Sequence, residues 1–289
     1  MDASPRITDG PSAGAALPIG TRFRLGQQIT DEQRLFLDTY GFLIFEAVAT
    51  PGEVEMILGE LDRINAQWDA EGRTQVNGIP IFWGRGPAGD RWVQRFTFAS
   101  MFSESIRRFV RDGRFEPVRR LIGDDARIGD DEKDGVVVNR YINIPGSAYP
   151  RLGWHTDGAR DLFYLRMPQR MLNVGLHLDD CPAENGGLRL IPGSHTQGFL
   201  SMCFRKFYFF THAPDPDEIA VETRAGDLTV HDGRLWHRVA MSSRVGPTSL
   251  RRSMYVPYLT GERQPKHDGS PTPFYHTIGL WIRRLRRLR

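Results

Sequence analysis

The segment Trp154–Gly158 carries a histidine and an aspartate one residue apart, His155 and Asp157. Side chains alternate in direction along an extended segment, so these two would point to the same side. With a second imidazole from elsewhere in the chain, they would form a 2-His-1-carboxylate triad, which binds Fe(II) on one face and leaves the opposite face open. The pair alone is equally typical of a turn with a capping aspartate, so a metal site is predicted only if later segments support it.

The second imidazole is expected from a strand further along the chain. The candidates are His177, His195, His212, His231 and His237. Residues 225–237 read as a strand, a turn and the start of a returning strand, which would let His237 point back toward the first pair. His231 is the one serious rival to His237. We interpret His195 as part of a structural turn and His177 as a core or supporting residue.

Length and composition favour an ordinary globular protein. The chain has 289 residues, of which 40% are apolar and 25% are charged, and no apolar run reaches the roughly 18 residues of a membrane-spanning helix. The net charge is +3, from 38 basic and 35 acidic residues, but five arginines lie within 283–289. Without these five the balance is 33 to 35, or −2, so the basic character belongs to the tail and no nucleic-acid-binding core is predicted. Cys181 and Cys203 suggest no disulfide framework, and a cytoplasmic location is expected.

Hydrophobic patterning predicts a helical N-terminal third followed by short strands. Residues 1–20 are interpreted as a disordered lead-in, 21–262 as a single catalytic domain and 263–289 as a C-terminal segment with a basic tail. Helices are predicted at 31–37, 51–68, 104–111 and 115–121, and strands at 42–45, 136–144, 171–178, 187–191, 227–230 and 253–259. Short strands separated by turn signals predict a mainly β sandwich or barrel with helices packed outside it. The Gly- and Arg-rich stretch 70–95 shows no clear hydrophobic periodicity of a helix or a strand.

Two further segments have open interpretations. The connection 199–216 is crowded with phenylalanines, and its length and apolar content fit either a lid over a site or a satellite core cluster. The tail Trp281–Arg289 could form a basic amphipathic helix on an anionic membrane, or a solvated tail.

Four motifs occur in order along the chain. They are His155-x-Asp157, the run Asn185–His195, Gly226-Asp227 before Trp236-His237, and Arg251-Arg252. Their order and spacing, over about residues 30–259, resemble the phytanoyl-CoA dioxygenase family. The resemblance implies a double-stranded β-helix (jelly-roll) core. It also implies an Fe(II)- and 2-oxoglutarate-dependent dioxygenase, which uses O2 to hydroxylate an aliphatic C–H bond of a small molecule.

By this resemblance, His155, Asp157 and His237 are the expected iron ligands. Arg251 is expected to bind the distal carboxylate of 2-oxoglutarate, because a buried carboxylate needs a charged partner and arginine offers a bidentate fork. Arg252 is the alternative, since neighbouring strand residues face opposite ways. Arg251 lies a few residues further from the distal histidine than is common in the family, so 242–249 is interpreted as a small insertion.

A third group of residues is predicted to line the cosubstrate. Asn139, Tyr141 and Asn143 would share one face of a strand. Because the carboxylate ligand Asp157 is present, hydroxylation or another oxidation is expected and halogenation is not. Desaturation, ring formation, demethylation and a non-catalytic ligand-binding role remain alternatives.

The substrate is only broadly indicated. Trp83 and the aromatic connection fit an apolar or acyl-bearing small molecule, whereas Arg85, Arg151 and Arg160 would suit an anionic group.

Overall fold

The computed structural model describes residues 17–162 and 167–273. Most of the predicted lead-in and the whole basic tail Trp281–Arg289 lie outside the described residues. None of the helices within the described ranges is long and apolar enough to cross a membrane. Cys181 and Cys203, both described, are free thiols.

Local signals at the N-terminus set the first helices. Helix α1 (Asp31–Tyr40) begins after a capping box at Thr30 and ends at Gly41, whose φ of 82° lies in the left-handed region that glycine tolerates. Helix α2 (Pro51–Ala70) also begins with a capping box, and its apolar side is fully buried in the core. The remaining described helices are short: α3 (Glu104–Val110), α4 (Glu116–Arg119), α5 (Ala159–Leu162) and α6 (Phe199–Phe204).

The strands form two antiparallel sheets and one small hairpin. They are β1 (Phe42–Phe45), β2 (Gln75–Val76), β3 (Ile79–Pro80), β4 (Phe82–Arg85), β5 (Arg91–Phe96), β6 (Arg127–Ile128), β7 (Val137–Tyr141), β8 (Leu152–His155), β9 (Met171–His177), β10 (Gly187–Leu190), β11 (Ile219–Ala220), β12 (Leu228–Asp232), β13 (His237–Ala240) and β14 (Arg251–Leu259). The larger sheet has the order β1-β12-β9-β14-β7-β5-β4, with β6 on β14, and the smaller has β11-β10-β13-β8. This mainly antiparallel architecture with a jelly-roll core confirms the predicted fold class.

Strand alternation separates an apolar outer face of the larger sheet from a polar inner face. On β9 and β14, Val174, Leu176, Met254 and Val256 belong to the main hydrophobic core together with the helices. The residues between them on β14, such as Ser253, face the other way, toward the smaller sheet. The helices therefore stabilise the outside of the larger sheet, and its inner face carries polar side chains beside a small buried cluster that includes Tyr141 and Val239.

Two segments differ from the sequence predictions. The stretch 70–95, which showed no period, folds as β2 to β5, with a register shift between Phe82 and Trp83. Such an irregularity interrupts the alternation on which strand prediction depends. Strand β14 begins at Arg251, two residues before the predicted start, so both candidate arginines lie within the ladder.

Candidate metal centre

The two predicted histidine ligands lie opposite each other on neighbouring strands. His155 is the last residue of β8, His237 is the first of β13, and the two are direct partners in the register. Asp157 comes two residues after the end of β8, in a turn whose Gly158 N–H donates to the carbonyl of Gly233. The pair therefore does not alternate on one continuous strand as predicted, because the strand stops at His155.

The three side chains form a group that can hold a metal ion. One ligand atom from each of His155, Asp157 and His237 lies within 4.8 Å of the others. His155 Nδ1 donates to the carbonyl of Gly153 at 2.8 Å, and His237 Nδ1 donates to that of Leu235 at 3.0 Å. Because a carbonyl can only accept, each Nδ1 carries the hydrogen and each Nε2 keeps its lone pair. Both imidazoles are thus held in the tautomer that a metal ligand needs.

Protonation also favours cation binding. Burial lowers the pKa of His155 and lowers that of His237 strongly, so both rings are neutral near pH 7. Burial alone would raise the pKa of Asp157, but His237, His231 and His155 together hold it well below its usual value. Two neutral imidazoles and one carboxylate suit Fe(II).

His231, the rival for the second histidine position, also lies at the centre. It is not a member of the metal-binding group, and its Nε2 lies 3.2 Å from Asp157 Oδ2. Asn173 Nδ2 donates to the same oxygen at 3.1 Å. The sequence analysis did not single out Asn173, although its alternation with the buried leucine and valine of β9 places it on the inner face.

Arg251 lies on the inner face of β14, and its surroundings favour the binding of a carboxylate. It is only 4% exposed, and among the described residues no carboxylate forms a salt bridge with it. Its guanidinium donates to the carbonyls of Asn185, Ala240 (3.1 Å) and Pro150 (3.0 Å). Within the described ranges, two of its five N–H groups have no partner, including the buried Nε–H, and these remain for an anion. This orphaned donor set fits the distal carboxylate of 2-oxoglutarate.

Arg252 points the opposite way. Its side chain forms two hydrogen bonds with Asp179, at 2.8 and 2.5 Å, and its backbone N–H donates to the same carboxylate at 2.7 Å. The guanidinium is therefore already neutralised on the outer side of the sheet.

The three predicted cosubstrate-lining residues do not share one face. Asn139 and Tyr141 lie opposite Ser253 and Arg251 on the inner face, and Asn139 Oδ1 is buried without a partner. The Tyr141 ring centroid is 5.7 Å from the Arg251 guanidinium carbon. Asn143 lies beyond the end of β7, and its amide donates to the carbonyls of Ser242 and Arg244.

The aromatic connection is anchored beside the metal-binding group at one end. The Phe209 N–H donates to the Trp154 carbonyl at 2.8 Å, and the Phe209 ring stacks on His155 at 5.1 Å between centroids. Phe209 has a φ of 61°, a conformation that bulky residues rarely adopt and that is concentrated at functional sites. In contrast, Phe204 and Phe207 are 80% and 70% exposed. The connection is thus held in place at Phe209, while Phe204 and Phe207 expose apolar rings to solvent.

The structure also shows the contacts of two other residues singled out from the sequence, Trp83 and His195. Trp83 is on the edge strand β4, where its indole N–H donates to the Arg73 carbonyl and Arg91 stacks over its ring at 4.0 Å. The side chain of Arg160 lies outside the described residues. His195 contacts the Asp38 carbonyl through Nε2 at 3.2 Å, which fits its interpretation as a structural residue.

Comparisons with known proteins agree with this geometry. The phytanoyl-CoA dioxygenase (PhyH) family model matches residues 37–240. An ectoine dioxygenase of Bordetella bronchiseptica is 27% identical over 163 residues, and the match covers 56% of this chain but only 47% of that relative, about half its length.

Two solved structures show the same fold. HygX from Streptomyces hygroscopicus, with nickel and 2-oxoglutarate bound, has a TM-score of 0.58 at 20% identity, covering 82% of this chain and 89% of that one. The carbocyclase SnoK from nogalamycin biosynthesis has a TM-score of 0.58 at 19% identity, covering 90% and 94%. With a family model that spans most of its length, the chain belongs to the phytanoyl-CoA dioxygenase family, a family of Fe(II)- and 2-oxoglutarate-dependent dioxygenases.

Proposed function

We propose that this protein is an Fe(II)- and 2-oxoglutarate-dependent dioxygenase that hydroxylates an aliphatic C–H bond of a small molecule. The observation that carries the proposal is the convergence of His155, Asp157 and His237, with both Nε2 lone pairs free. Family membership agrees with it.

Arg251 supports the cosubstrate part of the proposal. A buried guanidinium without a counter-charge is costly unless an anion joins it, and two of its N–H groups are available. Arg251 would hold the distal carboxylate, with Asn139 and Tyr141 beside it. With iron and 2-oxoglutarate bound, the site would supply the chemistry of O2 activation, in which the cosubstrate is converted to succinate and carbon dioxide.

The protein itself contributes orientation and exclusion of water. Both imidazoles are fixed by backbone carbonyls, and His155 and His237 are almost fully buried. The Phe209 ring covers one side of His155. This arrangement excludes water from the side of the proposed metal site that His155 and His237 cover, so the substrate would approach from another side.

The substrate is proposed to be apolar or acyl-bearing. Phe207 and Phe210 pack against each other at 4.8 Å between centroids while staying largely exposed, and they lie on either side of the anchored Phe209 in the same segment. Exposed aromatic rings beside a site usually mark a binding surface. Arg151, exposed directly before β8, would suit an additional anionic group on the substrate.

The test is a turnover assay with anaerobically loaded Fe(II), ascorbate and 2-oxoglutarate. Long-chain acyl compounds, free apolar acids and polycyclic aromatic compounds would be compared for substrate-dependent succinate release and for the product mass. Asp157→Ala is the inactive control, because it removes a proposed ligand. If the wild-type protein fails to bind both 2-oxoglutarate and a divalent metal, the proposal is refuted. If it binds both but forms no succinate with any compound, the non-catalytic ligand-binding alternative is favoured.

A second oxidation by the same centre is a candidate because one structural neighbour is a carbocyclase. Ring formation or desaturation would remove two hydrogens from the substrate, whereas hydroxylation adds one oxygen atom. The product mass therefore separates them.

A further inference from the structure

One oxygen of the Asp157 carboxylate is already engaged by two side chains that bind no metal. His231 Nε2 lies 3.2 Å from Oδ2, and Asn173 Nδ2 lies 3.1 Å from the same atom. The other oxygen, Oδ1, faces His237 Nε2 at 3.8 Å. The carboxylate is thus divided into one oxygen held by the protein and one directed toward the metal-binding group.

We propose that His231 and Asn173 are positioning residues that hold Oδ2 of Asp157, so that this carboxylate binds iron through Oδ1 alone. The inference rests on the proposed function, since it assigns a role at the same centre. It also explains how a ligand outside any strand is kept in place. Asp157 follows the end of β8, so no ladder hydrogen bond fixes it, and these two side chains supply the missing constraint.

The two donors converge because of strand register. His231 on β12 and Asn173 on β9 are direct antiparallel partners, so their side chains leave the sheet side by side on the same face. His231 is 1% exposed. Two neighbouring strands of the rigid larger sheet therefore hold both donors, while the ligand itself sits on the turn.

The hydrogen-bond roles follow from the acceptor. A carboxylate at neutral pH only accepts, so the His231 Nε2 carries the hydrogen and cannot also offer a lone pair to a metal. This is why His231, 4.6 Å from His237 between ring centroids, supports the centre without being a ligand. With Oδ2 occupied by these two donors, Asp157 would offer a bound ion Oδ1 alone, which would leave the ion more room for cosubstrate and O2.

The test is to measure Co(II) binding in the absence of cosubstrate. Titration calorimetry gives the affinity, and the visible absorption of the bound ion reports its coordination. His231→Phe keeps a ring of similar size but removes the donor, and Asn173→Val removes the amide. Each is expected to weaken Co(II) affinity about 10- to 100-fold, the usual cost of losing a partner of a metal ligand, and to change the absorption bands. His231→Gln restores an N–H donor and should recover most of the affinity. His177→Gln is the matched control, because His177 is a buried inner-face histidine that bonds Thr229 and not Asp157.

The outcomes separate this inference from the proposed function. Folding of each variant is checked by circular dichroism and melting before titration. If the wild type binds Co(II) and His231→Phe and Asn173→Val bind it equally well with unchanged spectra, the positioning role is refuted while the oxygenase proposal stands. If His231→Phe abolishes binding and His231→Gln does not restore it, His231 is itself a ligand and the inference is wrong. If the wild type binds no Co(II), both proposals fall.

Discussion

Replacing Arg251 by glutamine should selectively destroy cosubstrate affinity. The guanidinium is buried, three of its N–H groups bind backbone carbonyls, and two are left for a ligand. Hydrogen bonds to charged groups contribute about 1.5–3 kcal/mol each. A glutamine amide can replace one of the two, so we expect the loss of one such bond, about 1.5–3 kcal/mol, or roughly 10- to 150-fold in the dissociation constant of 2-oxoglutarate.

Arg252→Gln is the matched control, because it removes the same charge from the adjacent residue. Its side chain bonds Asp179 on the outer side of the sheet, so 2-oxoglutarate affinity should stay within about threefold of wild type, as expected for a site with no shared partners. That variant should instead lower the melting temperature, since Asp179 loses its counter-charge.

The assay is calorimetric titration of 2-oxoglutarate into protein loaded with Zn(II), which prevents turnover. Metal affinity is measured first, and it should be unchanged in both variants because neither arginine touches the three proposed ligands. Equal 2-oxoglutarate affinity in Arg251→Gln and wild type, or a larger loss in Arg252→Gln, would refute the assignment of the anchor.

Three further changes test other parts of the structure. Gly186→Ala should weaken 2-oxoglutarate binding in the same titration and lower the melting temperature, because Gly186 has a φ of 79° and an added Cβ would collide with the Arg251 guanidinium and with the Ala240 carbonyl oxygen, 2.5 Å away; unchanged affinity in the folded variant would contradict this. Burial lowers the pKa of His177 from 6.5 to about 4. Between these two pH values His177 is therefore protonated in the unfolded chain and neutral in the folded protein. The contribution of His177 to the free energy of unfolding should therefore be fully present above pH 6.5, and the free energy of unfolding should fall by about 3 kcal/mol as the pH drops to 4. In urea titrations this fall should be smaller for His177→Gln than for the wild type, and a fall of the same size would contradict the assignment to His177. Tyr208→Phe removes the hydroxyl that lies 2.9 Å from Thr156 Oγ1, at a cost of about 1 kcal/mol, and a double-mutant cycle with Thr156→Val should show coupling; purely additive losses would mean that the two hydroxyls act independently.

The metal-binding group was predictable from the sequence because it depends on spacing. His155 and Asp157 are one residue apart, and the turn before His237 returns the chain to the same place. The choice of His237 over His231 came from the resemblance to the family and not from residue types alone. The choice between Arg251 and Arg252 could not be made from spacing. Adjacent strand residues point in opposite directions, and which one faces inward depends on a register that only the paired strands establish.

The supporting residues were beyond sequence reasoning for a different reason. Asn173 and His231 are 58 positions apart in the chain, and they meet because β9 and β12 pair in one register. No local period marks a contact of that kind. His231 was predicted only as a competing ligand, since a histidine that donates a hydrogen bond and one that coordinates a metal look the same in a sequence.

Asn143 contacts the connection between β13 and β14 that precedes Arg251. Its amide holds the carbonyls of Ser242 and Arg244, and its own carbonyl accepts from the Gly246 N–H. The connection between β13 and β14, interpreted above as a small insertion, is thereby tied to the end of β7. Directly after that connection, Arg251 begins β14 opposite Tyr141 of β7. Asn143, which was predicted to line the cosubstrate, instead contacts the connection that precedes Arg251.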